Sequence, residues 1–126
     1  MIVHLDSDFL IYALASDGPE RARLLKIADS EDEIKISAIA WYEFSRGPRT
    51  PEQLGVARSF FDEDGIVSFT EEIAERSAEI FRQLGCPRSR AADIAIGATA
   101  AMMDALLITR NCGDFAGIPD LKVEPA

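Results

Sequence analysis

Among the side chains of this sequence, Asp6, Asp8, Glu43, Asp93 and Asp114 have the clearest chemical use, and Asp93 is the most telling. It lies in AADIAIGATAAMM, residues 91–103, where only Asp93 and Thr99 are polar and no Lys or Arg occurs. A helix apolar around its whole circumference belongs in an interior. An ionised carboxylate there is costly unless a positive group meets it. Buried acids without a basic neighbour often face a metal ion or a catalytic cleft. Oxygen ligands select hard cations such as Mg²⁺ or Mn²⁺ over zinc. A cluster of acids holding one or two such ions can activate water and stabilise both oxygens of an in-line phosphoryl displacement.

Other chemistries lack their residues. The single histidine, His4, falls inside an apolar run and reads as a packing residue, so no His-based acid–base mechanism can be built. There is no Gly-rich phosphate loop, no nucleophile elbow and no Cys–His pair. Cys86 and Cys112 are far apart without metal-ligand spacing, and both read as reduced structural thiols. The N-terminus has no basic leader and no run reaches a membrane span, so a cytoplasmic protein with no membrane partner is expected.

The elements that must position the acids alternate. Ile2–Leu5 reads as a buried strand, and Asp6-Ser7-Asp8 starts a helix through Tyr12 and Leu14. Pro19 opens a second helix, with Ala22, Leu25 and Ile27 near its apolar side. Glu33–Ser37 reads as strand two and Ala38–Ser45 as a short helix stopped by Gly47-Pro48. Thr50-Pro51-Glu52 starts a helix to about Asp64, with Gly65 as its stop. Ile66–Phe69 reads as strand three. Thr70 caps a helix whose Ile73, Ser77, Ile80, Phe81 and Leu84 keep the 3.6-residue period. The apolar Asp93 helix, strand four at Ala105–Thr109 and a last strand near Leu121–Val123 complete the chain. With no repeat or linker, residues 1–126 form a single α/β domain: a parallel sheet of about five strands flanked by helices.

Ligands of open α/β sheets bind beyond the C-terminal strand ends. Asp6 and Asp8 follow strand one, Glu43 lies after strand two, Asp93 precedes strand four and Asp114 follows it. Acids from distant segments can therefore converge on one mouth. Each also has a local reading: Asp6 or Asp8 as the cap of the first helix, Glu43 as a solvated helix residue, Asp93 as the cap of its own helix, and Asp114 as an Asx-turn residue near Gly113 and Gly117. Their joint placement is what favours chemistry.

The chain carries 22 acidic against 13 basic residues, a net charge of −9, which argues against a broad electrostatic grip on nucleic acid. It does not exclude nucleic acid as a substrate. Arg46, Arg49, Arg88, Arg90 and Arg110 fall in or beside loop-like stretches, and Arg suits phosphate recognition through its planar fork. Surface pairing with the abundant acids is the alternative for each.

IVHLDSDFLIYAL, WYEFSRG, DIAIGATA and LLITRNCGDFAGIPDLKVEP occur in the order found in PIN domains. More narrowly, the chain resembles the VapC-like toxins of type II toxin–antitoxin systems, and the similarity spans nearly its whole length. That resemblance implies a PIN-like, Rossmann-like fold and a Mg²⁺- or Mn²⁺-dependent ribonuclease. It matches Asp6, Glu43, Asp93 and Asp114 to the family's acidic quartet of catalytic and metal-binding residues. Thr109 and Asn111 match the polar pair that orients ligands and water. Where the family commonly has Asn this chain has Asp8, either an added ligand or a helix cap. A cognate antitoxin packing across the toxin and covering the acidic mouth is implied, with Phe9, Tyr12, Phe60 and Phe61 as candidate contacts or ordinary core. Homodimers are common in that family.

The expected reaction is hydrolysis of an RNA phosphodiester by metal-activated water, leaving 5′-phosphate and 3′-hydroxyl ends. Arg46, Arg88, Arg90 or Arg110 would hold the RNA backbone. A PIN-like module that binds antitoxin or RNA without efficient cleavage is the non-enzymatic alternative. Asp6-Ser7-Asp8 also resembles the opening of haloacid-dehalogenase-type phosphatases, which need a lysine placed later in the chain, and only Lys26, Lys35 and Lys122 are present. A phosphoryl-receiver domain would need an acceptor Asp where this chain has Phe69-Thr70-Glu71.

Overall fold

The apolar runs Ile2–Leu5 and Leu106–Thr109 are buried nearly throughout and the edge run Lys122–Pro125 is largely exposed, in a set of five short strands that pair side by side. In the computed structural model, which describes residues 1–126, they form a wholly parallel sheet in the order β3-β2-β1-β4-β5. The strands are β1 (Ile2–Leu5), β2 (Glu33–Ser37), β3 (Ile66–Val67), β4 (Leu106–Thr109) and β5 (Lys122–Pro125). The helices are α1 (Ser7–Ala15), α2 (Pro19–Ala28), α3 (Ala38–Ser45), α4 (Pro51–Arg58), α5 (Glu71–Gln83) and α6 (Ala91–Met102). Short 3₁₀ turns occupy Arg88–Arg90 and Cys112–Phe115. No helix is long and apolar enough to cross a membrane.

The central strand is β1, in register with β4 through Val3–Leu106, His4–Leu107 and Leu5–Ile108. Strand order runs outward from β1 to β2 and β3, then restarts on its other side with β4. The reversal therefore falls between the C-terminal ends of β1 and β4, where a crevice opens in sheets of this kind. Asp6 and Thr109 stand at that point.

The local signals act as their chemistry requires. Ser37 accepts from the Ala40 N–H at the start of α3, Thr50 and Gln53 form a reciprocal capping box on α4, and Thr70 accepts from the Ile73 N–H on α5. Helix α6 is buried from Ile94 through Ala100, as its composition demands. Leu5, Phe9, Leu10, Phe44, Ile80, Ile96 and Leu107 belong to the same core.

Several boundaries differ from the sequence reading. Helix α4 stops at Arg58 rather than near Asp64, because the Arg58 guanidinium donates to the carbonyls of Phe61, Asp62 and Glu63, and the chain folds back to bury Phe61. A Cβ on Gly65 would meet Phe61 Cβ at 2.6 Å, so only glycine allows that return. Strand β3 keeps only Ile66 and Val67, since its partner β2 turns into α3 at Ser37 and leaves Ser68 and Phe69 unpaired. Strand β4 starts at Leu106, and β5 is shifted to Lys122–Pro125, where it pairs to the end of β4. On α2, Leu24 and Ile27 face the core while Ala22 and Leu25 are exposed. The thiols of Cys86 and Cys112 are both exposed, so neither packs the core. His4 is a core residue, 1% exposed, with neither ring nitrogen hydrogen-bonded.

Candidate functional site

Asp6 leaves β1 in extended conformation, and its backbone N–H still donates to the Ile108 carbonyl of β4 (3.0 Å). Its Oδ1 accepts from the Ser7 N–H at 2.8 Å, capping α1, and its Oδ2 accepts from the Thr109 hydroxyl at 2.8 Å. The capping reading thus belongs to Asp6 and not to Asp8, and it coexists with a place in the mouth. Thr109 is completely buried, and its Oγ1 also accepts from the Asn111 N–H at 3.0 Å. One hydroxyl thereby fixes both the carboxylate of β1 and the turn that follows β4.

Two further bonds tie the site together. Ser7 Oγ donates to Glu43 Oε1 at 3.0 Å, drawing the α3 carboxylate toward the start of α1. Asn111 Nδ2 donates to Asp8 Oδ2 at 3.0 Å. Ser7 was not singled out from sequence. The only available signal was its position between two acids, and it took the packing of α3 on α1 to give that position a partner.

Asp93 sits half-buried in the first turn of α6 and is not a helix cap, since no side chain caps that helix. Burial pushes its carboxyl up to about 6, helped by the charges of Asp6, Asp114, Glu43 and Asp8. Asp6 also rises to about 6, chiefly through burial. The Thr109 and Ser7 hydrogen bonds pull it down while Asp8 and Glu43 push it up. Asp93 thus lies within range of the charges of Asp6, Asp8, Glu43 and Asp114, and Asp6 within range of those of Asp8 and Glu43.

The carboxylates share a field without touching: no three of them stand close enough to ligate one ion directly. That spacing fits a hydrated hard cation, because Mg²⁺ retains several waters and needs only one or two carboxylates. An all-oxygen donor set and a half-buried acid with no hydrogen-bond partner suit such an ion as well.

The arginines divide. Arg90 Nη2 donates to the backbone carbonyls of Asp114 (3.2 Å) and Ala116 (2.5 Å). Arg110 lies over the Tyr12 ring, 3.5 Å from its centroid, and its Nε pairs with Glu20 at 3.2 Å. Arg46 and Arg88 are exposed, with Arg46 near the Tyr42 ring. The lysines serve elsewhere: Lys35 on the Asp64 carbonyl, Lys122 on Asp104, and Lys26 exposed on α2. The lysine a haloacid-dehalogenase site needs is therefore missing from the mouth.

Thr109→Val tests the hydroxyl's role. The variant loses the bond that lowers Asp6, so the Asp6 carboxyl should titrate above about 6. Loss of a buried bond to a charged group should also cost roughly 1.5–3 kcal/mol of stability. Carboxyl-detected NMR titration and thermal melts check both; an unchanged Asp6 titration would contradict the assignment.

The PIN domain family model matches residues 3–119. No curated protein matches the sequence. Among solved structures, a toxin–antitoxin complex from Klebsiella pneumoniae contains a similar chain, with 30% identity and a TM-score of 0.73, covering 97% of this chain and 95% of that one. VapBC2 from Rickettsia felis, solved with a promoter DNA fragment, aligns over 100% of this chain and 99% of its own at 22% identity and a TM-score of 0.77. FitAcB from Neisseria gonorrhoeae aligns over 98% and 96% at 24% identity and a TM-score of 0.71. At those last two identities the likeness is one of fold.

Proposed function

The chain belongs to the PIN domain family, and on that premise we propose that it is the ribonuclease toxin of a toxin–antitoxin pair, dependent on Mg²⁺ or Mn²⁺. What supports this reading is that Asp93 feels the charges of Asp6, Glu43 and Asp114 while Asp6 stands at the reversal of strand order, both carboxyls being raised chiefly by burial. One or two of those four would hold the cation directly and the others through its waters, and the ion when bound would supply Lewis-acid charge and an acidified water for attack on a phosphodiester.

The chain's own residues do the positioning. Thr109 donates to Asp6, Ser7 to Glu43 and Asn111 to Asp8, so each of these carboxylates is held by a side-chain donor. Asp8 is thereby occupied and acts as part of the rim. Without a cation the mouth repels phosphate, so cation uptake and RNA binding are coupled by charge. Of Arg46, Arg88, Arg90 and Arg110, the exposed Arg46 and Arg88 are the two without a hydrogen bond or ion pair, and they would meet the RNA backbone. Purified protein should cleave RNA with Mg²⁺ or Mn²⁺, leaving 5′-phosphates, and chelation should stop it. Intact RNA under both metals would reject the reading.

The partner is a cognate antitoxin, in keeping with the complexes in which similar chains are found. Its docking surface is the apolar groove of about 450 Å³ lined by Leu24, Leu25, Val56 and Phe60 between α2 and α4. Leu25 and Val56 are 53% and 56% exposed and share this groove, and a contiguous exposed apolar patch marks an interaction site. Phe9 and Phe61 are core residues and Tyr12 lies beneath Arg110, so of the aromatic candidates only Phe60 lines this groove. Leu25→Asp with Val56→Asp should weaken antitoxin binding about 100-fold while cleavage by the free protein is unchanged. Titration calorimetry and an RNA assay check the pair.

A further inference from the structure

Arg90 is the last residue of the 3₁₀ turn before α6, three positions ahead of Asp93. Its side chain reaches a different segment. A single guanidinium nitrogen, Nη2, donates to the carbonyl oxygens of Asp114 and Ala116, at 3.2 and 2.5 Å, while Nε is buried without a partner. The segment it grips carries Asp114, whose own side chain is exposed and makes no hydrogen bond within the protein. Phe115 and Ile118 anchor that segment to α6 from the other side, where Gly97 leaves them room. They fix the depth of the segment. They do not fix the carbonyls that flank Phe115.

The geometry points to Arg90 as a positioning residue that clamps the Asp114 segment to the start of α6, setting the spacing between the Asp93 and Asp114 carboxylates for the cation. The assignment rests on the reading of these acids as a cation site. It gives Arg90 a different part from that of an RNA-backbone contact. A guanidinium with Nη2 spent on two carbonyls and Nε buried presents little of its fork to phosphate. Two backbone carbonyls give it no countercharge, so it also contributes a fixed positive charge beside an acidic mouth.

The test compares the wild type with Arg90→Met, Arg90→Lys, Asp114→Asn and the Arg90→Met/Asp114→Asn double variant. Mn²⁺ binding is followed without RNA, by the electron paramagnetic resonance of the free ion, and RNA cleavage is followed against both Mn²⁺ and salt. Arg90→Met should raise the half-saturating Mn²⁺ concentration about tenfold and leave the KM for RNA and its salt dependence near wild type. The double variant should be no worse than Asp114→Asn alone, because the clamp acts through Asp114. Arg90→Lys, which keeps a charge and donors, should lose less than Arg90→Met.

A raised KM with a flattened salt response and unchanged Mn²⁺ binding would make Arg90 a phosphate contact and overturn the proposal. So would losses that multiply in the double variant, or equal losses for Met and Lys. If Arg90→Met does not fold, hydrogen exchange across residues 112–117 in Arg90→Lys decides. Faster exchange is expected, and wild-type protection overturns the clamp. Mn²⁺ binding without RNA cleavage would sink the nuclease reading alone and leave the Arg90 comparison intact. A wild type that binds no Mn²⁺ would sink both.

Discussion

Asp93→Asn is expected to lower metal-dependent RNA cleavage by at least about 10²-fold, the size of effect seen when one preorganised electrostatic group is removed from a reaction centre. The argument is one of occupancy. Asp6 is held by Thr109 and the Ser7 N–H, Glu43 by Ser7, and Asp8 by Asn111. Asp93 and Asp114 have no such partner, and of the two Asp93 stands half-buried at the start of a largely apolar helix, where an ionised carboxylate most needs a cation. The amide keeps the shape and removes the charge. Asp8→Asn serves as the contrast. That residue is already engaged at the rim, so its loss should cost less than about tenfold. Steady-state cleavage by the two variants at saturating Mn²⁺ decides; equal losses would mean that Asp8 is a ligand on the same footing.

The same substitution should stabilise the cation-free protein, and the gain should depend on pH. The Asp93 carboxyl is raised from 3.8 to about 6 in the folded state. A raised folded value means that the group's favourable contribution is complete below about 4 and is lost as pH rises through 6. Above pH 7 wild-type protein therefore carries the full cost of an ionised Asp93, on the order of 1–3 kcal/mol once partial solvation is allowed for. Asp93→Asn never incurs that cost.

The difference in melting temperature between variant and wild type should accordingly be several degrees at pH 8 and fade toward zero by pH 4. The difference is the quantity to measure, because wild-type curves also contain His4. Burial lowers His4 to about 4, so its neutral form loses stabilising influence as pH falls from 6.5. Mn²⁺ should raise the wild-type melting temperature at pH 8 by mass action and leave the variant nearly unmoved. A difference that grows on acidification would show that Asp93 is not raised by its surroundings.

Much of this molecule is local in origin. The short apolar runs and the 3.6-residue pattern, together with the helix starts at Thr50 and Thr70, locate nearly every element, because hydrogen bonding and side-chain periodicity act within a few residues. The same holds for the cost of Asp93, since a run such as AADIAIGATA has nowhere to go but the interior. The PIN resemblance rests on that local order of motifs, and the family match over residues 3–119 agrees with it.

What the tertiary structure alone decided is pairing between segments. Thr109 meets Asp6 across 103 positions, Ser7 meets Glu43 across 36, and Arg90 reaches the Ala116 carbonyl across 26. An arginine in a loop looks the same whether it faces solvent, stacks on Tyr12 or grips two carbonyls, because its composition does not say what lies at the end of a long flexible stem. The early end of α4 is local, since Arg58 donates to carbonyls only three to five positions ahead. The two-residue β3 is not: it stops where its partner β2 turns away into α3, and no short window of residues contains that information.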